Sequence, residues 1–250
     1  MLSGRLCLVT GGGGAIGAAV CRRFADEGAR IVSADISQTT AEAGLQGLPN
    51  GQLHSAHSVD ITSGKSVREL SSAIESHYGQ PPSILVHSAG IVNNWQGLLG
   101  CSEDVWDEQI AVNLKGTYLV NKTFIKAMLK AGLKEASIVN LSSLASQGTP
   151  QSPEYSASKA GVIALSKAIG REFGKAGIRC NAVAPSFVES PMARSAGPQG
   201  DKTITYFAKM NPLKRLAEAK EVADVCLFLA SPMSSYVNAS VQFVTGGSLQ

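Results

Sequence analysis

The feature that most constrains the fold is a repeating alternation. Short continuous runs rich in apolar and β-branched residues recur at 6–10, 30–34, 53–58, 84–87, 137–141, 179–184 and 241–244. Helical patterns separate them, read at 15–28, 63–78, 103–131, 155–175 and 219–230. A strand that is apolar at every position, rather than at every second one, has both faces buried, as in a parallel sheet covered by helices on both sides. The expected fold is therefore α/β, a Rossmann-type doubly wound parallel sheet of about seven strands. Start signals reinforce the helices: Thr62 or Ser63 precedes the second and Ser102 the third, each able to satisfy free backbone N–H groups.

With 250 residues, 44% of them hydrophobic, the chain can bury a substantial core, and a single domain over 1–250 is expected. The segment 187–212, rich in Ser, Pro, Gly and Lys, is the least patterned and reads as a substrate loop able to close over a site. The net charge is only +3 and the basic residues are dispersed, which speaks against nucleic acid and membrane surfaces as partners and in favour of a small molecule. Five cysteines lack C-x-x-C spacing, three of them fall in apolar stretches that read as core, and the set suggests a reduced, intracellular, soluble protein. Residues 1–5 are too short for a targeting peptide before the first strand, and no apolar run is long enough to span a membrane.

The run Thr10-Gly-Gly-Gly-Gly-Ala-Ile-Gly17 follows the first strand and opens the first helix. Glycines there permit a tight turn and close approach of a pyrophosphate, whose charge is favoured by the helix N-terminus. The expected contacts are Gly11, Gly13, Gly14, Ala15, Ile16 and Gly17. Asp35 ends the second strand, where a carboxylate accepts both ribose hydroxyls and repels a 2′-phosphate. The expected cofactor is NAD; the plainer role for Asp35 is capping the next turn. Asp60 after the third strand is read either as an adenine contact or as a helix N-cap.

Tyr155 and Lys159 stand at i and i+4 at the start of a helix and share a face. A phenol with a pKa near 10 is a poor acid/base at neutral pH; an adjacent ammonium and a positive nicotinamide would favour its anion. Alone, the pair equally describes a solvated helix surface. Upstream, Ile138-Val-Asn-Leu-Ser-Ser143 brings hydroxyls to a strand's C-terminal edge, where ligands sit in open α/β sheets and where a serine can stabilise a developing oxyanion.

Taken together, Thr10-Gly11…Gly17, His87-Ser-Ala-Gly90, Asn113 in Val-Asn-Leu-Lys-Gly, Leu141-Ser-Ser143, Tyr155-x-x-x-Lys159, Asn181-x-Val-x-Pro185 and Gly246-Gly247 resemble the short-chain dehydrogenase/reductases over essentially the whole chain. The resemblance implies a hydride-transferring oxidoreductase with a tetrad of Asn113, a serine, Tyr155 and Lys159. In it Lys159 also binds the nicotinamide ribose and Asn113 holds a relay water. Further cofactor contacts are implied at Ile36, Ile61, Ser88, Ala89, Gly90, Pro185 and Val188, with Tyr155 and Lys159.

Within the family, Pro81-Pro-Ser-Ile-Leu-Val, Ser102-Glu-Asp-x-Trp-Asp and Gly177-Ile-Arg-Cys-Asn resemble the type 8 17β-hydroxysteroid dehydrogenases. That group is similar to bacterial 3-oxoacyl-carrier-protein reductases and serves as the NAD-linked subunit of a mitochondrial 3-ketoacyl reductase. The implied substrates are a 3-oxoacyl thioester or a 17β-hydroxysteroid. The implied assembly is a homotetramer or a heterotetramer with a related reductase subunit, and the implied compartment is the mitochondrial matrix, with the cytoplasm otherwise. The competing role is an NAD-binding scaffold subunit with little activity of its own.

Four positions depart from the family pattern: Ala15 and Ser186 replace glycines, His87 replaces an asparagine that ties neighbouring strands, and the serine-to-tyrosine segment is one residue short. The motif selects Ser143 as the catalytic serine; counting back from Tyr155 selects Ser142. Strand geometry favours Ser143. The four histidines show no metal-ligand spacing, so no metal site is expected. Trp95 and Trp106 are read as pocket or packing residues. The helix over 103–131 is apolar around much of its girth (Val105, Trp106, Ile110, Leu114, Leu119, Phe124, Met128), more than one sheet face needs, which suggests burial against another subunit.

Overall fold

The computed structural model describes residues 1–93, 96–190, 193 and 200–248. Seven strands, β1 (Leu6–Thr10), β2 (Arg30–Asp35), β3 (Ser55–Ser58), β4 (Ile84–His87), β5 (Ala136–Leu141), β6 (Ile178–Pro185) and β7 (Val241–Val244), form one sheet in the order β3-β2-β1-β4-β5-β6-β7. Every pairing is parallel. The chain leaves β1 in one direction and returns to it with β4, so the strand order reverses between them. Open α/β sheets bind ligands above this reversal.

Eight helices complete the described fold: α1 (Ala15–Asp26), α2 (Gln38–Ala43), α3 (Gly64–Tyr78), α4 (Glu103–Gln109), α5 (Thr117–Lys130), α6 (Pro153–Phe173), α7 (Gly200–Met210) and α8 (Ala219–Ala230). The sheet is buried on both faces, as continuous apolar strands require. Cys7, Val9, Ile31 and Val86 pack with Val20 and Phe24 of α1 and Val222 and Cys226 of α8. Their neighbours Leu6, Leu8, Val32 and Leu85 turn to the other side, against Val67 of α3, Phe124 of α5 and Ile169 of α6. Four of the five cysteines are buried and all are free thiols.

Ser63 caps α3 by accepting from Ser66 N–H, and Ser102 caps α4 by accepting from Val105 N–H. Asp60 does not cap α3. Its Oδ1 instead accepts from the backbone N–H of Thr62 at 2.9 Å and from that residue's hydroxyl at 2.6 Å.

Three elements differ from expectation. The helix over 103–131 is interrupted: residues Ile110–Gly116 form a wide π-helical turn between α4 and α5. Apolar periodicity is too coarse to register one extra residue per turn, and such bulges concentrate at functional sites. The short helix α2 carries no apolar stripe and gave no signal. Within the segment 187–212, residues Gly200–Met210 form α7, an amphipathic helix that the surrounding Ser, Pro and Gly masked. Residues 191, 192 and 194–199 of that loop, and Trp95, lie outside the described residues.

Candidate active site

The C-terminal ends of β1, β2, β4, β5 and β6 open into one cleft of about 1050 Å³, which runs from Asp35 and Ile36 at one end to Tyr155, Phe187 and Tyr206 at the other. Gly11, Gly13, Gly14, Ala15, Ile16, Asp60, Ile61, Ser88, Ala89, Gly90, Pro185 and Val188 also line it. Gly17 does not; it is buried beneath the turn.

The glycine turn is built for close approach. Gly11 has φ 67°, a left-handed conformation that costs a side chain strain, and a Cβ there would stand 2.7 Å from Ala89 N. At Gly17 a Cβ would collide with the carbonyl of Gly11, so only glycine lets α1 start this close to the turn. Asp35 braces the same turn: its Oδ2 accepts from Gly13 N–H at 3.1 Å and its Oδ1 from Ile36 N–H at 2.8 Å. It therefore lines the cleft and organises its own turn at once. A dinucleotide fits this groove, with the exposed turn and α1 N-terminus at its centre and an acidic strand end at the ribose position.

At the opposite end, α6 presents Tyr155 and Lys159 to the cleft. Pro153 starts the helix with its fixed φ and no N–H to waste. Ser143, at the end of β5, hydrogen-bonds the Tyr155 hydroxyl, and its Oγ accepts from Ala145 N–H at 3.1 Å. Ser142 points the other way, donating to the Lys159 carbonyl at 2.8 Å in a buried position. Just beyond β5, Ser142 N–H still pairs with the Val183 carbonyl and Ser143 is extended, so the two side chains face opposite sides and only one of them meets the tyrosine.

Lys159 Nζ donates to the Leu141 carbonyl at 3.0 Å and sits 5.7 Å from the centre of the Tyr155 ring. Burial lowers the pKa of this ammonium to about 8. Burial also pushes the Tyr155 phenol up, with the Ser143 hydrogen bond offsetting part of the rise. The expected depression of Tyr155 by Lys159 is therefore absent from the free protein, because the ammonium is itself desolvated and directed at a carbonyl.

Asn113 lies in the π-helical turn, where its side chain clamps the backbone beyond β4: Oδ1 accepts from Ile91 N–H at 2.8 Å and Nδ2 donates to Ile91 O at 2.9 Å. Ser158, one residue before Lys159, accepts from the same Nδ2 at 3.2 Å. Gln109, four residues before Asn113, packs its amide against Ile91 O and Asn113 Nδ2. A second amide one helical turn before Asn113 is a signal that sequence inspection passed over. So is Thr10, whose hydroxyl lies 2.7 Å from His87 Nδ1. That contact ties β1 to β4 directly, so the histidine supplies the strand link that the missing asparagine was expected to remove. Ser186, in place of glycine, turns its hydroxyl to the Thr245 carbonyl at 3.4 Å.

The other histidines serve structure. His54 accepts from Ile31 N–H at 3.0 Å, His57 pairs with Ser55, and His77 packs edge-on to Tyr78. Among the described residues no group of three His, Cys, Asp or Glu side chains converges as a metal site would require, and no helix is long and apolar enough to cross a membrane.

Comparison with known proteins agrees with this geometry. A family model described as enoyl-(acyl carrier protein) reductase matches residues 13–248. The human (3R)-3-hydroxyacyl-CoA dehydrogenase is 39% identical, over 98% of this chain and 96% of its own length. The Thermotoga maritima 3-oxoacyl-[acyl-carrier-protein] reductase is 37% identical over 98% of both chains. Among solved structures, levodione reductase superposes with a TM-score of 0.93 at 29% identity, covering 99% of this chain and 98% of that one. The dehydrogenase/reductase SDR family member 6 of Aquarana catesbeiana is 32% identical over 98% of both chains. The chain belongs to the short-chain dehydrogenase/reductase family and is an oxidoreductase that moves a hydride between a nicotinamide cofactor and a carbonyl/alcohol pair.

Proposed function

We propose that this chain interconverts 3-oxoacyl and 3-hydroxyacyl thioesters with NAD(H) as the cofactor, using Ser143, Tyr155, Lys159 and Asn113. The observation that carries the reading is the hydrogen bond between Ser143 and Tyr155, both of which line the cleft. Two hydroxyls converging on one point suit a carbonyl oxygen that gains negative charge as it is reduced.

The nicotinamide, when bound, supplies or accepts the hydride. Ser143 holds the substrate oxygen, and Tyr155 Oη delivers the proton in the reducing direction and removes it in the oxidising one. Lys159, held on the Leu141 carbonyl, stabilises the phenolate that remains, and the π-helical turn at Asn113 offers a polar route for a relay water. At the far end, Asp35 accepts ribose hydroxyls and disfavours a 2′-phosphate, which supports NAD over NADP. Ile36, Asp60 and Ile61, which line the cleft with Asp35, would hold the adenosine half. Gly11, Gly13, Gly14, Ala15, Ile16, Ser88, Ala89, Gly90, Pro185 and Val188 complete the contacts, with Gly17 acting from beneath the turn.

The thioester reading draws on the printed activities of the relatives in human and Thermotoga maritima. The 17β-hydroxysteroid stays the second substrate reading, tested below with estradiol. A scaffold role is not favoured, since the acid/base constellation is assembled. Phe187, Val188, Ser190, Tyr206 and Phe207 line the cleft, which supports a substrate loop over 187–212 within a single domain over 1–250. Trp106 stays exposed and Ile110, Leu114 and Leu119 half-buried along α4, the π-helical turn and α5. This apolar remainder supports a tetramer, homomeric or with a related subunit; the compartment, cytoplasm or mitochondrial matrix, rests on the family resemblance alone.

Oxidation of NADH and of NADPH by the purified chain with an acetoacetyl thioester tests the proposal, alongside NAD reduction with estradiol. Tyr155→Phe removes the proton donor while keeping ring shape. Turnover of the thioester with NADH is expected to fall by at least about 10²-fold in this variant with cofactor binding retained. Near-normal activity of Tyr155→Phe would refute the assignment, and cofactor binding without turnover of either substrate would revive the scaffold role.

A further inference from the structure

We infer that a second cavity, behind the aromatic wall of the cleft, receives the acyl tail and makes this enzyme selective for long-chain thioesters. The inference rests on the thioester reading above. The cavity measures about 480 Å³ and shares Leu144, Phe187, Tyr206 and Phe207 with the main cleft, while Met210 and Leu216 line it alone.

Its position follows from the chain. Leu144 is the residue after Ser143, so a substrate whose carbonyl rests on Ser143 sends one arm past Leu144. Phe187 and Phe207 stack there with ring centres 3.7 Å apart, and Tyr206 meets Phe207 edge-on at 5.4 Å. The two arms of a 3-oxoacyl thioester differ in kind. The thioester arm carries the polar carrier and must leave through the open mouth, whereas the tail beyond the 3-carbonyl is hydrocarbon and gains by burial.

Two polar side chains lining this cavity, Asn211 and Ser186, bond to the chain itself. Asn211 Nδ2 donates to the Thr245 carbonyl at 2.8 Å and to Ser248 Oγ at 2.9 Å, while its Oδ1 accepts from Leu213 N–H at 2.8 Å. Ser186 Oγ donates to the same Thr245 carbonyl at 3.4 Å. With the Asn211 amide and the Ser186 hydroxyl engaged by the chain itself, the cavity offers a ligand mainly Leu, Met and aromatic surface, alongside the exposed Tyr206. Such a lining selects by chain length, because each buried methylene strengthens binding by roughly fourfold.

The test uses two unreactive ligands, acetyl-CoA and lauroyl-CoA, titrated calorimetrically against the full-length NADH-loaded protein, together with acetoacetyl-CoA turnover. Lauroyl-CoA is expected to bind at least about 100-fold more tightly than acetyl-CoA. Leu216→Trp fills the cavity and should abolish most of that gain, with acetyl-CoA affinity and acetoacetyl-CoA turnover changed less than threefold. Met210→Trp, entering from α7, provides the same readout if Leu216→Trp fails to fold. Equal affinities for the two ligands, or a lauroyl preference untouched by both variants, would overturn the tail cavity even where acetoacetyl-CoA is reduced. A preference lost in the variants but unaccompanied by any acetoacetyl-CoA turnover would uphold the cavity and refute the thioester reaction instead.

Discussion

The hydroxyl of Ser142 donates to the main-chain carbonyl of Lys159 at 2.8 Å, pinning the end of β5 to the second turn of α6. Its neighbour Ser143 turns to Tyr155, so adjacent hydroxyls divide the work between holding the helix and meeting the substrate. Ser142→Ala is expected to cost about 1 kcal/mol of stability, through loss of one buried hydrogen bond to a carbonyl that α6 itself still pairs, and to change kcat only a few-fold. Ser143→Ala should lose about 10²–10³ in kcat with little change in stability. Urea denaturation and steady-state kinetics on both variants decide the matter; the reverse pattern would make Ser142 the reacting serine.

Lys159 is buried and its pKa is lowered to about 8. The unfolded chain, with an ordinary lysine near 10.4, therefore binds more protons than the folded one across the interval from 8 to 10.4. Folding stability should rise with pH through that window by roughly 3 kcal/mol, because the cost of a buried ammonium disappears. Lys159→Met lacks the titrating group, so its stability curve from pH 8 to 10.4 should run flatter than the native one. Parallel curves in chemical denaturation would show that Lys159 is charged and well solvated in the fold.

Burial, with a smaller contribution from the Lys159 charge, holds the His87 imidazole down at about 3. Its Nδ1 is engaged by Thr10, while its Nε2 is buried without a partner. Between pH 6.5 and 3 the unfolded chain takes up a proton that the folded chain refuses, so stability falls as pH falls. By pH 4 this amounts to roughly 3 kcal/mol. His87→Asn keeps a polar side chain beside Thr10 without an imidazole to charge, and thermal melts between pH 7 and 4 should show a shallower acid decline. An unchanged decline would place the acid sensitivity elsewhere.

Glu154 precedes Tyr155 on α6 and is fully buried, with neither carboxyl oxygen hydrogen-bonded. A buried polar group without a partner is a cost to the fold. Glu154→Met preserves length and helix propensity and is expected to raise stability by about 1–3 kcal/mol. A fall in the denaturation midpoint would mean that an ordered water satisfies the carboxyl in solution.

The sheet was legible in the chain because doubly buried parallel strands must be apolar at consecutive positions, and β1 and β4 fall where that pattern places them. The glycine turn, Asp35 and the Tyr155/Lys159 pair were legible for a related reason: their chemistry depends on spacing within a single turn or strand end, which sequence records directly. Other relationships join residues far apart in the chain. That Ser143 rather than Ser142 meets Tyr155, that His87 reaches Thr10, and that Asn113 clamps Ile91 from a π-helical turn were decided by register and side-chain direction. The direction of the Tyr155 and Lys159 shifts belongs to the same class. Proximity along a helix suggested that the ammonium would ease ionisation of the phenol, yet burial, a property of the packed molecule alone, governs both groups before the cofactor binds.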